Sequence, residues 1–521
     1  MDALLILVLL IPLAGFFFLL LLPREDHGLI RAMALFFTLV TFLASLPLAM
    51  APAAPGFQLE TDLAWIDNPS IRYHIGVDGI SLWLVLLVTF LMPISVLASW
   101  KHIETRVKEF FLFLLLLEVG MIGVFVALDL FLFYVFWEIT LVPMYFLIGV
   151  WGHQRRIYAA VKFFLYTMTG SVLMLAAILW LYNATGTFDF PKMQALLAGG
   201  PVALSRGQEL LLFLAFFLAF AIKAPLFPLH TWLPDAHVEA PTAGSILLAA
   251  VLLKMGAYGI LRFCLTLFPQ ASQELAPAIS ALAIIGIIYG ALVCLVQPNM
   301  KKLVAYSSVS HLGFVVLGIF SFTQLGADGA VYQMLSHGIS TGALFLLVGM
   351  LYERRHSLEI SAYGGVATPA PLLATVFLIT SLASAGLPML NNFVGEFLVL
   401  QGTAEADFRY TALAATGVIL AAWYLLWLYQ RVFLGEAKDE ATAGITDLTG
   451  RELTACIALI VMMVWMGIYP KTFLPRITAS TSRILAPMEL RVENRQSNQL
   501  SAISNQQPKY QSMRGSGGKA K

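Results

Sequence analysis

The sequence predicts an all-α, polytopic membrane protein of about 14 transmembrane helices, two of them interrupted, built around two inverted five-helix repeats. Three observations predict it. Of 521 residues, 59% are hydrophobic and 12% are charged, and mean hydropathy is +0.83. A soluble domain carries roughly twice that charged fraction. Apolar runs recur along the whole chain at about the 20 residues a helix needs to cross the hydrocarbon. Basic residues also alternate between successive connections, as they do when cytoplasmic loops are enriched in Lys and Arg.

In chain order the runs cover residues 4–22, 32–50, 80–99, 110–127, 130–150, 163–181, 210–229, 242–261, 279–296, 303–320, 331–352, 371–400, 411–430 and 455–468. The first has no basic n-region or AxA-like cleavage site, so it reads as a retained helix. The seventh is broken by Pro225 and Pro228, each of which removes a backbone donor. The twelfth is broken by Gly386, Pro388 and Gly395. The odd-numbered connections hold fifteen Lys and Arg, and the even-numbered ones five, Arg262 among them. A miscounted helix would scramble that alternation, and its sign puts both termini on the non-cytoplasmic side. Residues 51–77 read as a polar connection at the interface, with Trp65 and Tyr73. The units are then 1–109 (three helices), 110–262 and 263–433 (five helices each, the second inverted), 434–487 (the last helix) and 488–521. That tail is rich in Gln, Asn, Ser and Lys, a composition that predicts disorder. Its GSGGK has no preceding strand and is no phosphate loop.

Net charge is +1, and no basic stripe suggests nucleic acid. Cys264, Cys294 and Cys456 are far apart in sequence and read as buried free thiols. They form no CxxC pair for zinc or an iron–sulfur cluster. There is no G-x-G-x-x-G or P-loop, so no motif binds NADH, flavin or ATP in this chain.

The informative residues are ionisable groups inside apolar runs, where a charge at mid-bilayer costs about 2.5–3.5 kcal/mol even on a lenient scale. Glu138, in FLFYVFWEITLVPMYF, reads as a proton carrier against the plainer alternative of a carboxyl bonded between helices. Lys223 ends the first half of the broken seventh run. Half-helices at membrane depth are the usual build of ion-transport sites, and a desolvated lysine there can exchange its proton. Snorkelling to the interface is the alternative, and Lys223 lies too far inside its run for it. Lys254 reads as a carrier or a fixed counter-charge. His311 and His337, each beside serines, read as relays or as satisfied structural histidines. His230 and His237 follow the break and are weaker relay candidates. Glu396 lies in the second broken run beside Asn391 and Asn392. Glu118 and Asp129 fall nearer membrane edges, where solvation is expected. No i, i+4 histidine pair suggests a metal site. Finally, Glu138 precedes His311, and Lys223 precedes Glu396, by one common interval of 173 residues, which predicts two half-channels built alike.

At these residues the chain resembles a known family. FYVFWEITLVPMYFLIGVWG, KAPLFPLHTWLPDAHVEAPTAGSILLAAVLLKMGAYGILRF, KKLVAYSSVSHLGF and NFVGEF look like the antiporter-like chains of proton-pumping NADH–quinone oxidoreductase (respiratory complex I), over residues 75–470. The resemblance implies Glu138 and Lys223 as a channel pair, Lys254 as the central lysine, Glu396 as the terminal carboxylate, and His311 and His337 between them. It implies no cofactor in this chain, with NADH, FMN, iron–sulfur clusters and quinone in partner chains. It also implies antiporter-like subunits and membrane lipid as partners, and a bacterial inner membrane. Mrp-type sodium/proton antiporter subunits share the pattern and are the alternative. Most such paralogues carry lysine where this chain has Glu396.

Overall fold

The computed structural model describes residues 3–486 and Met488. The expected tail, Met488 apart, lies outside the described residues. In chain order the helices are α1 (Leu4–Leu21), α2 (His27–Met50, its last turn 3-10), α3 (Ser81–Ala98), α4 (Val107–Val126), α5 (Leu130–Trp151), α6 (Arg156–Thr185), α7 (Phe190–Leu197), α8 (Arg206–Lys223), α9 (Trp232–Glu239), α10 (Thr242–Leu267, with two π-helical turns), α11 (Pro269–Val296), α12 (Met300–Ile319), α13 (Gln324–Arg355), α14 (Pro371–Ser384), α15 (Asn391–Ala406), α16 (Phe408–Phe433) and α17 (Gly450–Ile468). Twelve are long and apolar enough to cross a membrane; α7, α8, α9, α14 and α15 are not among them. The seventh expected run, 210–229, covers most of α8 and the non-helical stretch after it, with α9 beyond its end, and the twelfth, 371–400, covers α14 and the first part of α15. Gly395 breaks nothing. It lies inside α15, where a Cβ would stand 2.5 Å from Gln333 of α13, so its role is close helix packing.

Residues 51–77 are more than a polar connection. They hold an antiparallel hairpin of β1 (Gln58–Ile66) and β2 (Ile71–Val77). Alternating QLETDLAWI and IRYHIGV around Asn68 and Pro69 is its signal. Within the bundle, α10 and α13 are buried along their whole apolar windows, whereas only 33% and 28% of those of α1 and α2 are buried. In a bilayer the strongly apolar α1 can face lipid, whereas helices that carry ionisable groups face the bundle interior. Lys254 and His337 ride on the two central helices, α10 and α13.

An internal repeat is written in the backbone. Leu130 N donates to Phe188 O and Phe190 N to Leu128 O, both at 2.8 Å. Met300 N donates to Leu358 O at 2.9 Å, and Ile360 N to Pro298 O at 2.8 Å. The bridges Asp129↔Asp189 and Asn299↔Glu359 match in the same way, and Asp129 and Asn299 cap α5 and α12. Every member of the second set lies 170 residues after its counterpart. By this frame Glu138 corresponds to Ser308, about one turn from His311. At the breaks the interval shortens to 161, since Lys223 ends α8 and Ser384 ends α14. The 173-residue interval therefore does not follow the backbone repeat. Lys223 precedes its break and Glu396 follows its own, so the ionisable groups occupy different places in two similar frames.

Candidate functional site

Four ionisable side chains on four helices come together where the end of the first five-helix unit meets the second: Lys254 belongs to 110–262, and His311, His337 and Glu396 to 263–433. In α10 the turn at 248–252 is π-helical, a form frequent at functional sites because it disturbs the hydrogen-bond ladder. Lys254 Nζ donates to the carbonyl of Ala249 in that turn (2.6 Å) and lies 2.6 Å from His337 Nδ1. The ring of His337 is 5.5 Å from that of His311. His311 Nδ1 is 2.9 Å from Glu396 Oε1, and its Nε2 is 3.3 Å from the Tyr424 hydroxyl of α16. Gln333, one turn from His337, donates to the same Glu396 oxygen at 3.0 Å. All six side chains from Lys254 to Gln333 are buried. Imidazole both accepts and donates, so a proton can pass directly at the Lys254–His337 and His311–Glu396 contacts. Among the described residues no hydrogen bond joins the two rings, and His337 Nε2 has no partner.

The break between α14 and α15 shapes its end. Gly386 has φ +76°, and a Cβ there would meet Glu396 Oε2 at 2.9 Å; only glycine turns the chain so close over the carboxylate. Asn391 and Ser336 exchange hydrogen bonds (2.9 and 3.1 Å), and Ser340 donates to Asn392 (3.2 Å), holding α15 against α13.

The first half is built differently. Lys223 is the last residue of α8, and the carbonyl of Ile222 beside it is satisfied by the Trp232 indole at 2.9 Å. That bond closes part of the ladder opened by Pro225 and Pro228. The Lys223 ammonium lies over the rings of Trp137 (5.3 Å) and Phe163 (5.6 Å). Glu138 is near enough for its charge to act on Lys223, yet no direct ion pair joins them among the described residues. Glu138 is partly buried, and its Oε1 has no hydrogen-bond partner among those residues. His237 stacks on Phe345 at 4.3 Å, within electrostatic reach of Lys254. His230 packs against Phe227 and Tyr289. Neither of these two histidines bonds to another member of the set among the described residues.

Three expectations need correction. Arg262 is no loop residue: α10 continues past it, and it pairs with Asp78 at 2.6 Å, both buried. Asp129 is buried and caps α5 through the amides of Phe131 and Leu132. Glu118 is wholly buried in α4, and neither carboxylate oxygen has a partner among the described residues. Distance from the ends of an apolar run did not report burial, because packing of neighbouring helices decides it.

Sequence reading also missed the cluster at the hairpin. His74 Nδ1 is 2.8 Å from Asp189 Oδ2, and its Nε2 is 3.1 Å from Glu60 Oε2. Burial works against the imidazolium, but the hydrogen bonds to Asp189 and Glu60 and the charges of Asp189 and Asp62 outweigh it and raise the His74 pKa. Ligand atoms of Asp62, His74 and Asp189 lie within 4.8 Å of one another. Because both imidazole nitrogens already face carboxylates, the arrangement suits a cation made of His74 itself.

The family model described as NADH:quinone oxidoreductase/Mrp antiporter, TM, matches residues 127–421, and the one described as NADH-ubiquinone oxidoreductase chain 4, amino terminus, matches residues 6–124. NADH-quinone oxidoreductase subunit M of Rhodobacter capsulatus is 49% identical over 473 residues, 89% of this chain and 91% of that one. NADH-ubiquinone oxidoreductase chain 4 of Arabidopsis thaliana is 44% identical over 92% of this chain and 96% of its own. A chain in the structure of respiratory complex I from Thermus thermophilus with bound NADH superposes with TM-score 0.84 at 34% identity, covering 92% of this chain and 99% of that one. A chain of the Mrp complex from Dietzia sp. DQ12-45-1b superposes at 0.83 and 20% identity, over 93% and 98% of the two chains, which shows a shared fold alone. This chain is an integral membrane protein, and it belongs to the NADH:quinone oxidoreductase/Mrp antiporter family of membrane subunits.

Proposed function

We propose that the chain is a proton-translocating membrane-arm subunit of an NADH–quinone oxidoreductase, coupling electron transfer from NADH to quinone to proton transport. The observation that carries the reading is the buried run of Lys254, His337, His311 and Glu396, with contacts of 2.6 and 2.9 Å at its two ends. Lys254 Nζ gives a proton to His337 Nδ1, His337 passes one to His311, and His311 Nδ1 gives one to Glu396. Glu138 and Lys223 load the axis at its other end: bringing the two charges together favours protonated Lys223, and separating them releases its proton. NADH, FMN, iron–sulfur clusters and quinone belong to partner chains, and antiporter-like subunits are its neighbours. Units 110–262 and 263–433 are the two inverted halves, in a bacterial inner membrane with both termini non-cytoplasmic. Glu396, where most paralogues carry lysine, favours this reading over an Mrp-type antiporter subunit.

The test uses vesicles holding the whole complex with Lys254→Met, measuring NADH oxidation and proton uptake separately. We expect proton uptake per NADH to fall by about a hundredfold, the contribution of a proton-transfer group. Uptake per NADH equal to wild type overturns the assignment.

A further inference from the structure

An apolar cavity of about 160 Å³ lies outside the polar axis, where α2 and α17 flank a floor made by α3 and α13. Its rim includes Leu46 and Trp465, both exposed on the outside of the bundle, so it opens toward the bilayer. It begins at helix ends, with Trp83 in the first turn of α3 and Phe473 just past α17, and runs inward to Ile339 at the middle of α13. Apolar walls around an unfilled space lose their dispersion partners, and water gains nothing in a cavity without polar lining.

Two polar features stand at the outer end. Trp83 is nine-tenths buried and lines the cavity, yet its indole N–H has no hydrogen-bond partner among the described residues. The Arg476 guanidinium lies 5.8 Å from the Trp83 ring. It is fixed by bonds from Nε to Ala51 O (2.6 Å) and from Nη1 to Thr472 O (3.4 Å). No carboxylate pairs with it among the described residues.

We propose that this is a phospholipid site. One acyl chain fills the cavity from the interface to Ile339, the glycerol ester or phosphate accepts from the Trp83 indole, and the phosphate pairs with Arg476. A long apolar tail joined to an anionic acceptor is the chemistry these groups share. A helix, about 10–12 Å across with its side chains, is too thick for the space. The site lies beside the proton axis: a Cβ on Gly338, next to His337, would meet Leu87 of the cavity floor at 2.7 Å. The acyl chain is then the outer layer between bilayer and His337.

The experiment places the whole complex in phosphatidylethanolamine–phosphatidylglycerol vesicles doped with phosphatidylglycerol bearing a diazirine at mid-chain, and maps photolabelled peptides. Labels should concentrate on Leu87, Phe90 and Ile339 over the exposed Ile419 of α16. Filling the cavity with Leu86→Trp, or independently with Met462→Trp, should return them to the Ile419 level in complexes that still assemble. Arg476→Gln should lower phospholipid retained after detergent washing about tenfold, as expected for a charged hydrogen bond. Equal labelling of the cavity and Ile419, labels unmoved by both fillers, a partner-subunit peptide cross-linked in the groove, or a quinone as the extracted molecule would each overturn the proposal.

Discussion

The two halves of the bundle share a backbone frame and differ in how they hold their ionisable groups. In the second half His311 touches Glu396 at 2.9 Å, and His337 reaches back to Lys254, at the end of the first, at 2.6 Å. In the first half Lys223 is wrapped by Trp137 and Phe163, and Glu138 acts on it through space. Two hydrogen-bonded pairs whose imidazole rings stand 5.5 Å apart leave one unbonded step for a proton to cross. A separated pair transmits only when something moves it together, so it can act as a gate. On the function proposed above, similar folds would serve as a wire and a switch, and the difference lies in which side of the helix break carries the charge.

The sharpest way to break this comparison is Glu138→Gln. The amide keeps the shape but cannot ionise, so Lys223 loses its only switchable partner in the scheme. Proton uptake per NADH should fall by about a hundredfold or more, with assembly unchanged on native gels. Retained uptake would remove the gate.

Lys223→Arg separates charge from proton release, because arginine stays protonated at physiological pH. Assembly should survive while uptake drops about tenfold or more. Uptake equal to wild type would make Lys223 a fixed charge.

In the second half, His337→Gln and Glu396→Gln should be strongly non-additive for proton uptake, as members of one connected network are, with coupling of about 0.5–3 kcal/mol. Additive losses would show that the contacts do not form one path. Gly386→Ala should cost about 1–3 kcal/mol, the price of a strained positive φ, and lower the melting temperature. It should also disturb Glu396, since the new methyl meets its carboxylate.

The smallest effect is at the hairpin. The raised pKa of His74 means that its ion pairs stabilise the fold fully below the ordinary value of 6.5 and fade as pH rises through the raised value. Between those pH values the hairpin should lose protection from hydrogen exchange in the wild type. His74→Gln should show no such slope, and an identical slope would discount the cluster.

Much was legible because bilayer physics writes long signals. Pro225 and Pro228 do end α8 directly after Lys223, and Glu138, Lys254, His311, His337 and Glu396 stood out because a charge in an apolar run is costly. Glu118 was misjudged because its burial depends on which face of α4 meets the rest of the bundle. Arg262 was misjudged because its partner, Asp78, is 184 residues away in sequence and stabilises a charge that looked like a loop residue. The interval of 173 residues compared side-chain chemistry alone. The backbone pairing at 170 could not be seen without the hydrogen bonds that Leu130 and Met300 make to distant carbonyls.

By itself the sequence determined the helical membrane class, the two breaks and the set of ionisable groups, since each follows from local composition and from proline and glycine geometry. The tertiary structure decided which of those groups touch. Whether Lys254 reaches His337 while Lys223 stays apart from Glu138 depends on helix register and rotation. Those are set by close contacts such as Gly395 against Gln333, which join residues far apart in the chain.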